Sequence, residues 1–244
     1  MRAAAEEGGA VKPIARALAG LSDRLNVDPR VLIAVAEVES GPAPAIVDGD
    51  PLTRLEVHIL WRRWPSAYRY LLDEWVQVDG PRPWEGHRAK LRAHEVPDGY
   101  PVTGLDTKDG GWLWVDLHPS PWTPDQHRVQ RLVVQRCISL ALMLPLPESA
   151  AAESAVWESC SYGALQVMGF NHRDGDHGTA LAMERDYRTI EGQAEGFARR
   201  LESMPHELDA LRRRDWLSFA ESYNGPGKAA TYAGHLALAY EEQL

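Results

Sequence analysis

Glu39 is the residue of this chain best placed to give up a proton. It sits in the last turn of Leu32-Ile33-Ala34-Val35-Ala36-Glu37-Val38-Glu39-Ser40-Gly41. That stretch predicts a buried helix. Asp28 suits its N-cap, Pro29 the first helical position and Gly41 the C-terminal stop. The C-terminal end of a helix already carries partial negative charge, and burial adds a second penalty on an ionised carboxyl. Both raise the pKa of Glu39, the condition for general-acid work near neutral pH. The plainer reading is a solvated glutamate on a fraying helix end. Glu37 is the rival carboxylate, but two residues along a helix it points to a different face.

Other residues have types that suit chemistry. Gly163-Ala164-Leu165-Gln166 and Tyr223-Asn224-Gly225 interrupt helical stretches with polar groups. An amide can bind N-acetyl or hydroxyl groups, and a phenol can stack and hydrogen-bond. Asn224 before Gly225 is equally a turn former. His172-x-Asp174-x-Asp176-His177 has metal-ligand types, but Gly175 and Gly178 make it read as a surface loop, so neither metal nor cofactor is expected. Trp112, Trp114 and Trp122 either stack on sugars or anchor the segment that carries them.

The elements around these residues are mostly helical. Ile14, Leu18, Leu21 and Leu25 predict a first amphipathic helix, and Leu52 to Trp61 a short strand leading into a helix. Between about 75 and 124, Pro, Gly and Trp become frequent and Gly110 to Val115 suggests a β-ribbon. This region has too few apolar residues for a core of its own and reads as an insertion. Helices resume at Asp125. Glu148–Glu158 is a further helix; Ile190, Ala194, Phe197 and Leu201 mark another; Leu208, Leu211, Trp216 and Phe219 mark one more; and Ala229–Leu244 closes the chain. The predicted organisation is a loose tail over 1–9 and a single, mainly α domain over 10–244 with one β-containing insertion.

Composition narrows the function classes. The 244 residues carry a formal charge of −9, with 44% hydrophobic residues. That charge, without a basic stripe, argues against nucleic acid as a partner. Cys137 and Cys160 read as buried free thiols in preference to a bridge. No apolar run has the length of a signal peptide's core or of a bilayer span. The expectation is a protein made in the cytoplasm, without stable membrane insertion, that needs delivery if its target lies outside the membrane.

The three polar segments, in this order, resemble the lysozyme-like superfamily, in particular goose-type lysozymes and lytic transglycosylases. Those proteins carry a Glu-Ser pair at a helix end, a Gly-Leu-x-Gln segment and an Ala-Tyr-Asn-x-Gly segment. Ala164 and Ser222 depart from that pattern. With Asp48-Gly49-Asp50-Pro51, Glu56-Val57-His58 and Gln166 to Asn171 added, the chain resembles the N-acetylmuramidase domain of modular phage endolysins over roughly residues 12–240. The resemblance implies a lysozyme-like helical fold and cleavage of the β-1,4 bond between N-acetylmuramic acid and N-acetylglucosamine in peptidoglycan. It implies Glu39 as proton donor and Glu56 as second carboxylate, with Asp48 and Asp50 as runners-up. Ser40, His58, Gln166, Tyr223 and Asn224 would then contact the glycan strand. A salt bridge from Glu56 to Arg54 or Arg62 is the structural alternative. Two other functions stay open: a lytic transglycosylase forming 1,6-anhydro ends, and a non-catalytic glycan-binding or virion structural protein. Implied partners are peptidoglycan strands and a phage particle or secretion system. The place of action would be the cell wall, reached after release, injection or secretion.

Overall fold

A computed structural model describes residues 12–40, 44–66, 76–78, 87–106, 111–117 and 123–243. The tail over 1–9, Gly41 and Trp122 lie outside the described residues. Eleven α-helices occur among the described residues. They are α1 (Pro13–Ala19), α2 (Ser22–Leu25), α3 (Pro29–Ser40), α4 (Val57–Arg63), α5 (Pro124–Leu142) and α6 (Glu148–Glu158). The C-terminal part holds α7 (Ala180–Asp186), α8 (Ile190–Ser203), α9 (Pro205–Arg213), α10 (Trp216–Asn224) and α11 (Ala229–Glu241). None of the described helices is long and apolar enough to cross a membrane.

The helix that carries Glu39 starts as its sequence predicts. The Asp28 carboxylate accepts from the backbone N–H of Arg30 at 2.9 Å, with Pro29 between them. The Arg30 guanidinium beside it holds the Asp28 carboxyl down at about 2. Along α3, Leu32, Ala34, Val35 and Ala36 are fully buried. Helices α1 and α11 pack against α3, and α10 packs against α11. So Glu39 ends a core helix, enclosed by elements from both ends of the chain.

Two expected helices are each broken in two. Over 13–25 the chain turns at Gly20 and Leu21, where Leu21 N–H donates to the Leu18 carbonyl at 2.9 Å and splits α1 from α2. Over 205–224, Arg214 adopts the left-handed conformation with φ 57°. Asp215 then caps α10 by accepting from Ser218 N–H at 3.2 Å. Helix α7, which no expectation covered, is capped by Thr179. Helix α5 opens with a capping box, in which the Thr123 hydroxyl accepts from Gln126 N–H and the Gln126 side chain accepts from Thr123 N–H at 2.5 Å.

Beside the β-containing insertion that the sequence predicts, the described residues hold two smaller sheets. The hairpin β1 (Ile46–Val47) with β2 (Asp50–Pro51) turns at Asp48 and Gly49, both at positive φ. A second sheet joins β3 (Thr53–Leu55), β8 (Cys160–Tyr162) and β9 (Val167–Met168), all antiparallel. The third lies in the insertion, with β4 (Val76–Val78), β5 (His87–Arg92), β6 (Val102–Asp106) and β7 (Trp112–Asp116) in spatial order β4-β5-β7-β6. Ala89, Leu91 and Val115 of that sheet share one buried cluster with the helical residues Leu32, Phe197 and Leu236. The insertion is therefore packed into the helical core. Cys137 and Cys160 are free, buried thiols, and burial pushes both up to about 12.

Candidate active site

The carboxyl of Glu39 is largely, not fully, buried at the end of α3, and this burial raises its pKa from 4.5 to about 7. Two neighbours work against that rise. The Tyr232 hydroxyl, from α11, donates to Glu39 Oε1, and the positive charge of Arg200, from α8, favours ionisation. Desolvation wins, so Glu39 changes protonation state near neutral pH and not in the ordinary carboxylate range. Burial, one of the two causes foreseen from the sequence, is the largest of those acting on Glu39.

Tyr232 and Arg200 belong to a connected set of side chains. The Tyr223 ring is stacked between Phe219, at 5.2 Å and 18°, and Tyr232, at 6.4 Å and 13°. The Arg200 guanidinium lies over the Tyr223 ring at 4.8 Å. Arg200 is fixed by two bonds to Glu207, at 2.5 and 3.1 Å. Ser222 donates to Glu207 at 2.8 Å and meets His206 Nε2 at 2.6 Å. Ser222 stands where the resembling motif has alanine, and its hydroxyl completes the shell of the buried Glu207 carboxylate.

Tyr223 also ties the second segment to this cluster. Its hydroxyl donates to the Leu165 carbonyl at 3.1 Å. The loop between β8 and β9 is rigid for identifiable reasons. Gly163 has φ 74°, and a Cβ there would stand 2.5 Å from Gln193 Oε1. That oxygen accepts from Ala164 N–H at 2.9 Å, while Gln193 Nε2 donates to the Tyr187 carbonyl at 2.8 Å. Gln166 has φ 46°, an uncommon conformation for a residue with a side chain. Its amide stabilises that turn: Oε1 accepts from Ser161 Oγ at 2.9 Å and Nε2 donates to the Gly163 carbonyl at 2.8 Å. Gln166 therefore shapes its loop with the same groups that were expected to face a ligand.

The remaining expected residues sit as follows. Glu56 precedes α4, where Arg54 holds it at 3.0 Å and His58 Nδ1 lies 3.6 Å away. Its backbone N–H donates to the Ser159 carbonyl at 2.9 Å, locking it to the end of β8. Glu56 is not among the groups that perturb Glu39. Asn224 is the exposed last residue of α10, before Gly225 at φ 80°. The Ser40 side chain lies outside the described structure. Asp48 pairs with Arg128 at 2.8 Å, Asp50 with Arg131 at 3.1 Å, and Glu37 with Lys12 at 3.3 Å. Trp112 carries the cations of Arg92, Lys90 and Arg136 over its ring, at 4.3, 5.5 and 5.7 Å.

In the 172–177 loop, His172 Nδ1 is within 2.9 Å of the His177 carbonyl, and His177 Nδ1 lies 3.9 Å from Asp186. Among the described residues, no group of three metal-ligand side chains converges. The histidines there brace a turn.

Sequence reasoning named Glu39, Gln166 and Tyr223, and the structure joins their segments through Tyr232 and the Leu165 carbonyl. It missed Tyr232, Arg200 and Glu207. Tyr232 lies on the closing helix, where an aromatic reads as core. Arg200 and Glu207 lie on helices whose charges read as a solvated face.

Residues 126–243 match the N-acetylmuramidase family. The match includes Gln166, Arg200, Tyr223 and Tyr232, and it leaves Glu39 and Glu56 outside. The fold is similar to the crystal structure of the Burkholderia AP3 phage endolysin, with a TM-score of 0.57 and 24% sequence identity, covering 93% of this chain and 69% of that one. No match arises among curated protein sequences. Residues 126–243 thus resemble the N-acetylmuramidase family, and the fold of the chain is similar to that of a phage endolysin.

Proposed function

We propose that the protein is a peptidoglycan hydrolase that cleaves the β-1,4 bond between N-acetylmuramic acid and N-acetylglucosamine. The observation that carries this reading is the desolvated Glu39 carboxyl, held near pKa 7 and bonded by Tyr232, beside residues of the matched family segment. In the reaction, protonated Glu39 gives its proton to the glycosidic oxygen as the C1–O bond breaks. Water gives up a proton to the second carboxylate as it adds to C1, and proton exchange with solvent returns both carboxyls to their starting forms. Tyr232 keeps the Glu39 carboxyl oriented through both steps, and Tyr223 offers a ring edge beside it. Glu56, paired with Arg54, is the carboxylate assigned to the water. Ser40, His58, Gln166 and Asn224 remain the assigned contacts to the strand. Peptidoglycan lies outside the membrane, so the protein acts after release, injection or secretion, and a phage particle or secretion system is the partner that would deliver it.

A second reading is favoured by one feature. The perturbers of Glu39 are burial, Tyr232 and Arg200, with no carboxylate among them. A single carboxyl is what a lytic transglycosylase needs, where the sugar's own 6-hydroxyl replaces water. Digestion of purified peptidoglycan, with mass spectrometry of the released muropeptides, separates the two. Reducing N-acetylmuramic acid ends, lost in Glu39→Gln and reduced in Glu56→Gln, support the hydrolase. Products one water lighter, with Glu56→Gln fully active, support the transglycosylase. Release that persists in Glu39→Gln refutes both.

A further inference from the structure

A cavity of about 420 Å³ opens where α5, the β1–β2 hairpin and the turn after β5 meet. Val96, Pro97 and Leu132 give it a hydrocarbon wall. The charges on its lining are already matched. Arg128 holds Asp48 at 2.8 Å, Arg131 holds Asp50 at 3.1 Å and Glu184 at 2.9 Å, and Arg136 holds Glu95. What remains unmatched is hydrogen-bond donors.

His127 is only 2% exposed, yet it lines the cavity. Its Nδ1 accepts from the Thr53 backbone N–H at 3.1 Å. A neutral imidazole whose Nδ1 accepts must carry its proton on Nε2. Burial keeps the ring neutral, with its pKa down at about 4. Among the described residues, Nε2–H has no hydrogen-bond acceptor. Arg131, four residues along α5 and so on the same face, also lines the cavity, and its Nε–H has no acceptor. A buried donor without an acceptor, such as Arg131 Nε–H, is costly, and a bound acceptor recovers that cost. Compensated charge, spare N–H donors and a hydrocarbon wall together fit a neutral acceptor that carries a small alkyl group.

We propose that this cavity is a subsite for a neutral secondary amide of the peptidoglycan substrate, with the carbonyl oxygen on His127 Nε2–H and the alkyl end against Leu132 and Pro97. The proposal rests on the reading of the chain as a peptidoglycan hydrolase. Two parts of that substrate carry such a group: the acetamido arms of the sugars and the peptide stems.

Calorimetric titration of the wild-type protein with tetra-N-acetylchitotetraose, and separately with a free stem tripeptide, distinguishes the two sources. The imidazole NMR signals of His127 report contact. Two variants test the site. His127→Asn keeps an acceptor for Thr53 N–H and removes the far donor. Gln135→Trp, at an exposed position on the rim, fills the cavity without touching the core. The expected result is that one probe binds and shifts the His127 signals, and that each variant weakens it about fivefold or more, the worth of one neutral hydrogen bond. Binding of the tetrasaccharide assigns the acetamido arm; binding of the tripeptide assigns the stem. The proposal is overturned if neither probe binds, if both variants bind as wild type does, or if a glucosamine tetramer without acetyl groups binds as well as the acetylated one. Failure of the hydrolase reading looks different: no muropeptides are released while probe binding persists.

Discussion

Replacing Glu39 by glutamine should abolish cleavage and, at the same time, stabilise the protein, by an amount that depends on pH. The carboxyl ionises at 4.5 when solvated and at about 7 in the folded chain. Its folded pKa is raised, so the native state binds the proton more tightly than the unfolded state between those values. The stability contributed by Glu39 is fully present below about 4.5 and is lost as pH rises through 7. Each pH unit of that gap is worth about 1.36 kcal/mol, which gives about 3 kcal/mol at about pH 8. Glu39 is partly exposed, so about 2–3 kcal/mol is the working figure. Glutamine carries no charge and still offers an oxygen to the Tyr232 hydroxyl. The variant should therefore be more stable than wild type by about 2–3 kcal/mol at about pH 8 and by less than about 1 kcal/mol at about pH 5. In melting temperature this is a gain of about 4–12 °C at the higher pH, measured by calorimetry or circular dichroism. Equal melting temperatures at both pH values, or a loss at pH 8, would refute the account of Glu39 as a desolvated acid.

The Glu39 background also exposes a second titration. His127 has its folded pKa depressed to about 4 from 6.5, so its contribution is present above about 6.5 and is lost as pH falls through 4, by up to about 3 kcal/mol. In wild type the two slopes oppose each other; in Glu39→Gln, stability should rise steadily from about pH 4 to 6.5, as urea melts at several pH values will register. Removing the Tyr232 hydroxyl takes away a bond that favours the ionised Glu39. Tyr232→Phe should therefore move the alkaline limb of activity to higher pH; a limb that stays in place or moves down contradicts the assigned contact. Gly163→Ala forces a Cβ against Gln193 at φ 74°. It should cost about 2–3 kcal/mol and lower muropeptide release even where the protein stays folded, because the β8–β9 loop supports Tyr223.

What was legible in the sequence follows physical range. The α3 helix was readable because its cap, its apolar run and its terminal carboxylate are adjacent in the chain. The alternation of helix with turn was local in the same way. The two broken helices were not readable, since Arg214 takes a left-handed conformation that no glycine announces, and hydrophobic spacing continues across the break. Strands β8 and β9 have three and two residues, below the length at which alternation shows. They exist because β3, more than a hundred residues earlier, supplies the partner edge. The site divides along the same line. Glu39, Gln166 and Tyr223 each stand beside a helix end or a glycine that marks them. Tyr232 is 193 residues from Glu39 and meets it only because α11 packs on α3. Arg200 and Glu207 look like two charges on amphipathic helices, seven residues apart, and a face of that kind is normally solvated. Here both are buried, and a buried pair is tolerated only with further hydrogen bonds, which Ser222 supplies. A buried arginine over Tyr223 also tempers the pKa of Glu39. Charge that acts on Glu39 from distant helices leaves no local mark on the sequence, and this is why Glu39 was found and Tyr232, Arg200 and Glu207 were not.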